Sequence, residues 1–224
     1  MSLSFKNKEE VMSQDTLTTE IRSVPTDQRF PVIEAIRSRR TIFQFKPDPV
    51  PQDVLEEILE AGIWSPNHHL TEPWRFTAIG EKTKLILAER YSEIQIEKIT
   101  SNPKAAAAAD EATLAKVGEQ GFKKFTSKPT IVAVSCIQDG DDQRKREDYA
   151  ATCCAMLNIQ LAGWERGVGM QWSTGAITLE QNTYDLLGID SDQEYIIGFY
   201  YMGYPAEVPT HERKPVSEQI RWTD

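Results

Sequence analysis

Three short segments carry the side chains that could do chemistry. The first is Ser65-Pro66-Asn67-His68-His69-Leu70-Thr71-Glu72-Pro73-Trp74-Arg75-Phe76, which joins a helical pattern to an apolar strand pattern. It combines a proline-started loop, side chains able to hydrogen-bond, and a Trp able to wall an aromatic ligand. The second, Arg39-Arg40-Thr41, ends the helical pattern upstream. Its arginines admit two readings. Cations satisfy the free carbonyls and macrodipole at a helix C-terminus, and a planar guanidinium also grips phosphate through paired donors. The third, Trp172-Ser173-Thr174-Gly175, sets an indole beside two hydroxyls and a glycine, giving an apolar wall with backbone access.

Other motifs point away from chemistry. Asn67, His68 and His69 invite a metal reading, but adjacent histidines do not converge on one ion, and no nearby cluster completes a coordination shell. Gly167-Val168-Gly169 follows a helix and precedes a strand, the reverse of a dinucleotide fingerprint, so helix termination explains it. His211-Glu212-Arg213-Lys214-Pro215 reads as a basic segment that is a solvated loop or an anion contact. No Ser-His-Asp set stands out, and no side chain is singled out as catalytic.

The elements that must position these segments are legible from periodicity. Pro31 suits the first turn of a helix, with Val32, Ile33, Ala35 and Ile36 as its apolar positions. Pro47, Pro49 and Pro51 mark an extended connector before a helix from Gln52 to Ile63, where Val54, Leu55, Ile58, Leu59 and Gly62 make a stripe. Arg75 to Ile79 reads as a strand and Lys82 to Lys98 as a helix. The Ala105 to Ala109 run is helix-forming. Thr130 to Cys136 is a β-branched run typical of a central strand.

The longest helical pattern, Arg144 to Arg166, places Tyr149, Cys153, Met156, Leu157, Leu161 and Trp164 near one side. Ala150, Ala151, Ala155 and Ala162 keep the rest small. Such a surface suits close packing in the core or at a subunit interface. Val168 to Trp172 and Glu194 to Met202 supply two more strands. Helices and strands interleave without a regular βαβ repeat, which points to an α+β sandwich.

A chain of 224 residues, 40% hydrophobic and 26% charged, has the composition of one globular domain. Residues 1 to 29 are polar and weakly periodic, an arm ahead of a single domain from 30 to 224. The 25 basic and 34 acidic residues give a net charge of -9, which argues against a duplex nucleic-acid partner. Cys136, Cys153 and Cys154 form no CxxC pair, so a reduced, cytoplasmic setting is expected. No apolar run approaches the ~20 residues that span a bilayer, so no membrane association is expected. The first residues lack the apolar core of a signal peptide.

Taken in order, Ser38-Arg39-Arg40-Thr41, the Ser65 to Phe76 segment, Gly169 to Gly175 and Gly203-Tyr204-Pro205 resemble the FMN-dependent nitroreductase family over about residues 31 to 215. The resemblance implies an α+β nitroreductase-like sandwich, with a mostly antiparallel central sheet flanked by helices. It further implies a homodimer holding FMN at its interface. Arg39, Arg40 and Thr41, the last replacing a family Ser, would meet the FMN phosphate, as would Arg213. Trp172, Ser173, Thr174 and Gly175 would meet the ring and ribityl chain. Pro66, Asn67 and His68 would lie against the partner's flavin. Many relatives carry Asn at the site of Leu70 and Gln at that of Glu72; this chain does not. The implied activity is a ping-pong transfer of electrons from NAD(P)H to a small nitroaromatic or quinone-type acceptor. The alternatives are another flavin reaction on the same scaffold, such as reductive dehalogenation or flavin consumption, or a non-catalytic flavin-binding protein.

Overall fold

Two central strands, apolar at nearly every position, fix the architecture. In a computed structural model describing residues 32–223, β1 (Trp74–Ala78), β2 (Thr130–Ile137), β3 (Gly169–Ser173) and β4 (Glu194–Gly203) form one sheet in the order β1-β2-β4-β3. Every neighbouring pair is antiparallel. The N-terminal arm and the helix-starting role of Pro31 lie outside the described residues.

Side chains alternate across a strand, so one strand buried on both faces feeds two cores. On β4, Ile197, Tyr200 and Met202 enter one core with Val132, Val134 and Cys136 of β2. Ile196, Phe199 and Tyr201 enter the other with Ile131 and Ala133. A bulge between Val134 and Ser135 shifts the β2–β4 register and leaves Ile197 without a directly paired residue. The first core is covered by α2 (Gln52–Ile63) and α6 (Asp142–Glu165), through Leu55, Ile58, Met156 and Ile159. The second is covered by α3 (Glu81–Thr100), α5 (Glu111–Thr126) and α7 (Gln181–Leu187), through Leu87, Tyr91, Phe125 and Tyr184. These layers are those of the expected α+β sandwich.

Most element bounds fall within two residues of expectation. Helix α2 starts after Pro51, as its stripe implied. The alanine run is helical as α4 (Pro103–Ala108), begun by Asn102, whose side chain accepts from the Lys104 and Ala105 amides. Helices α5 and α7 were not anticipated. The small residues Ala151 and Ala155 of α6 pack in the core against Trp74, one of the two placements their size allowed, but the grouping of its larger side chains needs correction: Met156 is buried, while Tyr149 and Leu157 are exposed. Ala155 is fully buried within the chain and so offers nothing to a partner. Short α1 (Val32–Ser38) buries none of its residues.

Candidate functional site

The chain leaving α1 is stitched to the sheet immediately after the arginine pair. Thr41 bridges Met170 of β3 in parallel, and the Ile42 amide donates to the Met170 carbonyl at 3.1 Å. Farther on, the Lys46 amide donates to Tyr204 O at 2.8 Å and Ala206 donates back to Gln44 O at 3.0 Å. Lys128, just before β2, completes the attachment: its ammonium donates to Phe43 O at 3.0 Å and sits over the Phe45 and Tyr201 rings, 5.2 and 5.4 Å from their centroids. Burial pulls this amine below the usual lysine range, with Lys124 adding to the effect.

The two arginines divide the roles that their sequence left open. Arg40 caps the helix, its Nη1 donating to the Arg37 and Arg39 carbonyls at 2.8 and 2.9 Å. Arg39 is partly buried and, among the described residues, no carboxylate lies within ion-pairing distance of Arg39, Arg40 or Arg213. Desolvation lowers the Arg39 guanidinium, and the charge of nearby Arg213 lowers it further, with a smaller push from Arg40. Three cations thus share one neighbourhood, an arrangement that favours an anion among them.

Trp172 and Ser173 close the exposed end of β3. The Trp172 indole lies across β4 at Gly198, where a Cβ would sit 2.5 Å from its Nε1 and 2.7 Å from Ser173 O. Only a hydrogen fits there, so Gly198 sets the indole's position. Trp172 keeps 36% of its surface exposed, leaving an aromatic face available. Behind it, burial raises the Tyr201 phenol to about 12, with the nearby Ser173 hydroxyl working the other way. Gly175 O accepts both the amide and hydroxyl of Thr178 at 2.9 Å, which fixes the turn after Thr174.

The Ser65 to Trp74 loop is held by α6. Asn158 donates to Ser65 Oγ at 2.8 Å, His68 Nδ1 meets Glu147 Oε2 at 2.6 Å, and Thr71 Oγ1 donates to buried Asp148 at 2.6 Å. Arg144 Nε donates to the other Asp148 oxygen at 2.8 Å. Asn67 is engaged within the loop, donating to Ser65 O at 3.2 Å and accepting from the Glu72 amide at 3.0 Å. His69, Leu70 and Glu72 have φ of 57, 54 and 43°, a left-handed region costly for residues with a Cβ. The His68 and His69 rings stack, centroids 3.9 Å apart, rather than converging on a shared ion. Glu147, Asp148, Lys128, Tyr201 and Gly198 were missed by sequence reasoning. Positions 79 residues apart, as His68 and Glu147 are, carry no joint signal in one sequence.

The sequence profile of the nitroreductase family matches residues 36–204. The chain belongs to the nitroreductase family. A relative from Bacillus subtilis, "Putative NAD(P)H nitroreductase YfhC", is 32% identical over 190 residues, covering 84% of this chain and 91% of its own. The crystal structure of a nitroreductase-like family protein from Bacillus cereus is 29% identical with a TM-score of 0.71, over 89% of this chain and 100% of that one. A chain from Desulfovibrio desulfuricans, solved in complex with FMN, shares the fold at 21% identity and a TM-score of 0.65, over 88% and 99%. The nitroreductase match spans the arginine pair, the α6-bound loop and Trp172 to Gly175, but ends before Arg213.

Proposed function

We propose that this nitroreductase-family chain is an FMN-dependent oxidoreductase that passes electrons from NAD(P)H to nitroaromatic or quinone-type acceptors. The observation that carries the reading is the arginine neighbourhood: Arg39, Arg40 and Arg213 lack a carboxylate partner among the described residues, beside the strand that presents Trp172. That donor set fits a phosphate dianion. Arg39 and Arg213 would grip it through paired N–H donors, while Arg40, already on helix carbonyls, would add charge. Thr41 would offer its hydroxyl. The Trp172 face would wall the ring, and Ser173, Thr174 and the Gly175 backbone would meet the ring edge and polyol chain. When bound, FMN supplies hydride uptake and return, and the protein sets its position and electronics.

The pocket is shared in this reading. Pro66, Asn67 and His68 lie on a loop that α6 holds in one shape, suited to cover the flavin of a second copy. Exposed apolar side chains support a homodimer: Ile33 and Ile36 on α1, Trp64 beside the loop, Leu157 on α6, and Trp222 near the C-terminus. Pyridine nucleotide and acceptor would use the same open face in turn, a ping-pong cycle. The free thiols of Cys136, Cys153 and Cys154 suit a cytoplasmic setting. Among the described residues no helix is long and apolar enough to cross a membrane.

The test is a visible spectrum followed by turnover. The purified protein should be yellow, with about one FMN per chain, and should oxidise NAD(P)H when menadione is added. Colourless protein that takes up no added FMN overturns the reading; flavin without turnover points to a binding protein instead.

A further inference from the structure

His68 and Glu147 are arranged as an acid–base pair. The 2.6 Å contact joins Nδ1 of the ring to Oε2 of the carboxylate, slightly shorter than the usual charge-assisted N–H···O bond. Gln143 donates to the other oxygen of Glu147 at 3.0 Å, so the carboxylate is fixed at both ends. The His68 contact is the main cause that holds Glu147 below the usual carboxylate range. With Glu147 accepting at Nδ1, the neutral ring keeps its proton there, and Nε2 becomes the atom that gains and loses one. The backbone on both sides is restrained, by Asn158 at Ser65 and by Asp148 at Thr71. The left-handed residues between them persist because these anchors over-determine the loop. A cavity of about 330 Å³ opens beside the ring, lined by Pro66, Asn67, His68, Glu147, Ala150 and Cys154 among others. The titratable groups around the ring are Glu147 and Cys154 of α6 and His69 of the loop.

We propose that His68 donates the proton consumed when the acceptor is reduced, with Glu147 as its positioning residue; the proposal rests on the reading that this loop faces the partner's flavin. The chemistry requires such a proton. A quinone takes an electron pair as hydride from the reduced flavin and one proton, giving the hydroquinone. A nitro group takes the same hydride and proton, breaks one N–O bond and leaves as nitroso compound and water. In either case the Nε2–H bond of the imidazolium breaks, its electron pair stays on nitrogen, and an O–H bond forms on the acceptor. The neutral ring retains Nδ1–H on Glu147 and is reprotonated from water, since 56% of its side-chain surface is exposed.

Stopped-flow reoxidation of the reduced holoprotein, at saturating FMN, tests this with two oxidants. Menadione needs a proton with its electrons; ferricyanide takes electrons singly and needs none. General acid catalysis is worth about 10²–10⁴-fold, and water replaces part of it. In His68→Gln the ratio of menadione rate to ferricyanide rate should therefore fall at least about tenfold, and in Glu147→Gln by less. Nitrogen NMR of the ring, without reductant, should show the Nδ1–H tautomer in the parent protein and a mixture in Glu147→Gln. An unchanged rate ratio in His68→Gln, or an Nε2–H tautomer in the parent, overturns the proposal. Protein that takes up no FMN overturns the family-based reading, and the proposal with it, and is recognised by its lack of colour before any rate is measured.

Discussion

Arg39 and Arg40 are adjacent in sequence and separate in role. Arg40 serves the helix end, whereas Arg39 feels the charge of Arg213 and has no acidic partner among the described residues. Arg39→Ala should weaken FMN binding by about 1.5–3 kcal/mol, the range of a charge-assisted hydrogen bond. Far-ultraviolet circular dichroism should barely change, because a helix-end charge contributes only about 0.3–1 kcal/mol. Normal FMN affinity in a destabilised variant would make Arg39 structural. Gly198 shapes the site from behind. Gly198→Ala puts a methyl against the Trp172 ring and the Ser173 backbone, and overpacking of this kind costs about 1–3 kcal/mol. Urea denaturation should report the loss and altered tryptophan emission the displaced indole. The arginine pair and the Trp172 segment stand out in the sequence because their residue types suggest a chemistry. Gly198 does not, since its role lies in what its missing side chain permits on a neighbouring strand.

At the scale of elements, strands and most helices were readable and two helices were overlooked. Helix α5 buries Gly118, Gly121 and Phe125; with Leu114, Val117 and Phe122 these form a helical stripe that the two glycines weaken. Helix α7 is short and buries Thr183 and Tyr184, again a weak signal. In α6 the inward face is Ala151, Thr152, Ala155, Met156, Ile159 and Gly163, so grouping by size misled: Met156 and Ile159 face in, while Tyr149 and Leu157 face out. The same helix holds the loop, and Asp148 is its firmest anchor, being buried with both oxygens engaged. Asp148→Ala leaves Thr71 and Arg144 without their acceptor and should destabilise by about 1–3 kcal/mol. Hydrogen exchange should quicken between Ser65 and Trp74 more than in β2 or β4. Uniform quickening across the sheet would mean that Asp148 supports the whole core rather than the loop.

For the molecule as a whole, the buried tyrosines of β4 and α7 set its alkaline limit. Burial is the main cause raising the phenols of Tyr200, Tyr201 and Tyr184, Tyr201 to about 12. A phenol with a raised folded value holds its proton more tightly when folded, so its contribution is complete below the unfolded value of about 10 and is lost as pH rises above it. Urea midpoints contributed by these groups should hold up to about pH 10 and fall steadily toward 12; a flat profile would contradict their burial. Assembly gives a second expectation. If the pocket is completed by a second copy, flavin binding and dimerisation are linked, and sedimentation read at the flavin band should find flavin only with dimer. Flavin travelling with a stable monomer would refute the shared pocket. The attachment of the loop to α6, rather than to the arginines of its own chain, has a genetic consequence. With a pocket shared between two copies, an allele damaged at Arg39 and another damaged in the loop would each spoil both sites of their own homodimer. Co-expressed, they would form mixed dimers in which the intact arginines of one subunit meet the intact loop of the other. Random pairing makes about half of the dimers mixed, each with one restored site, so roughly one quarter of full activity should return from two inactive proteins.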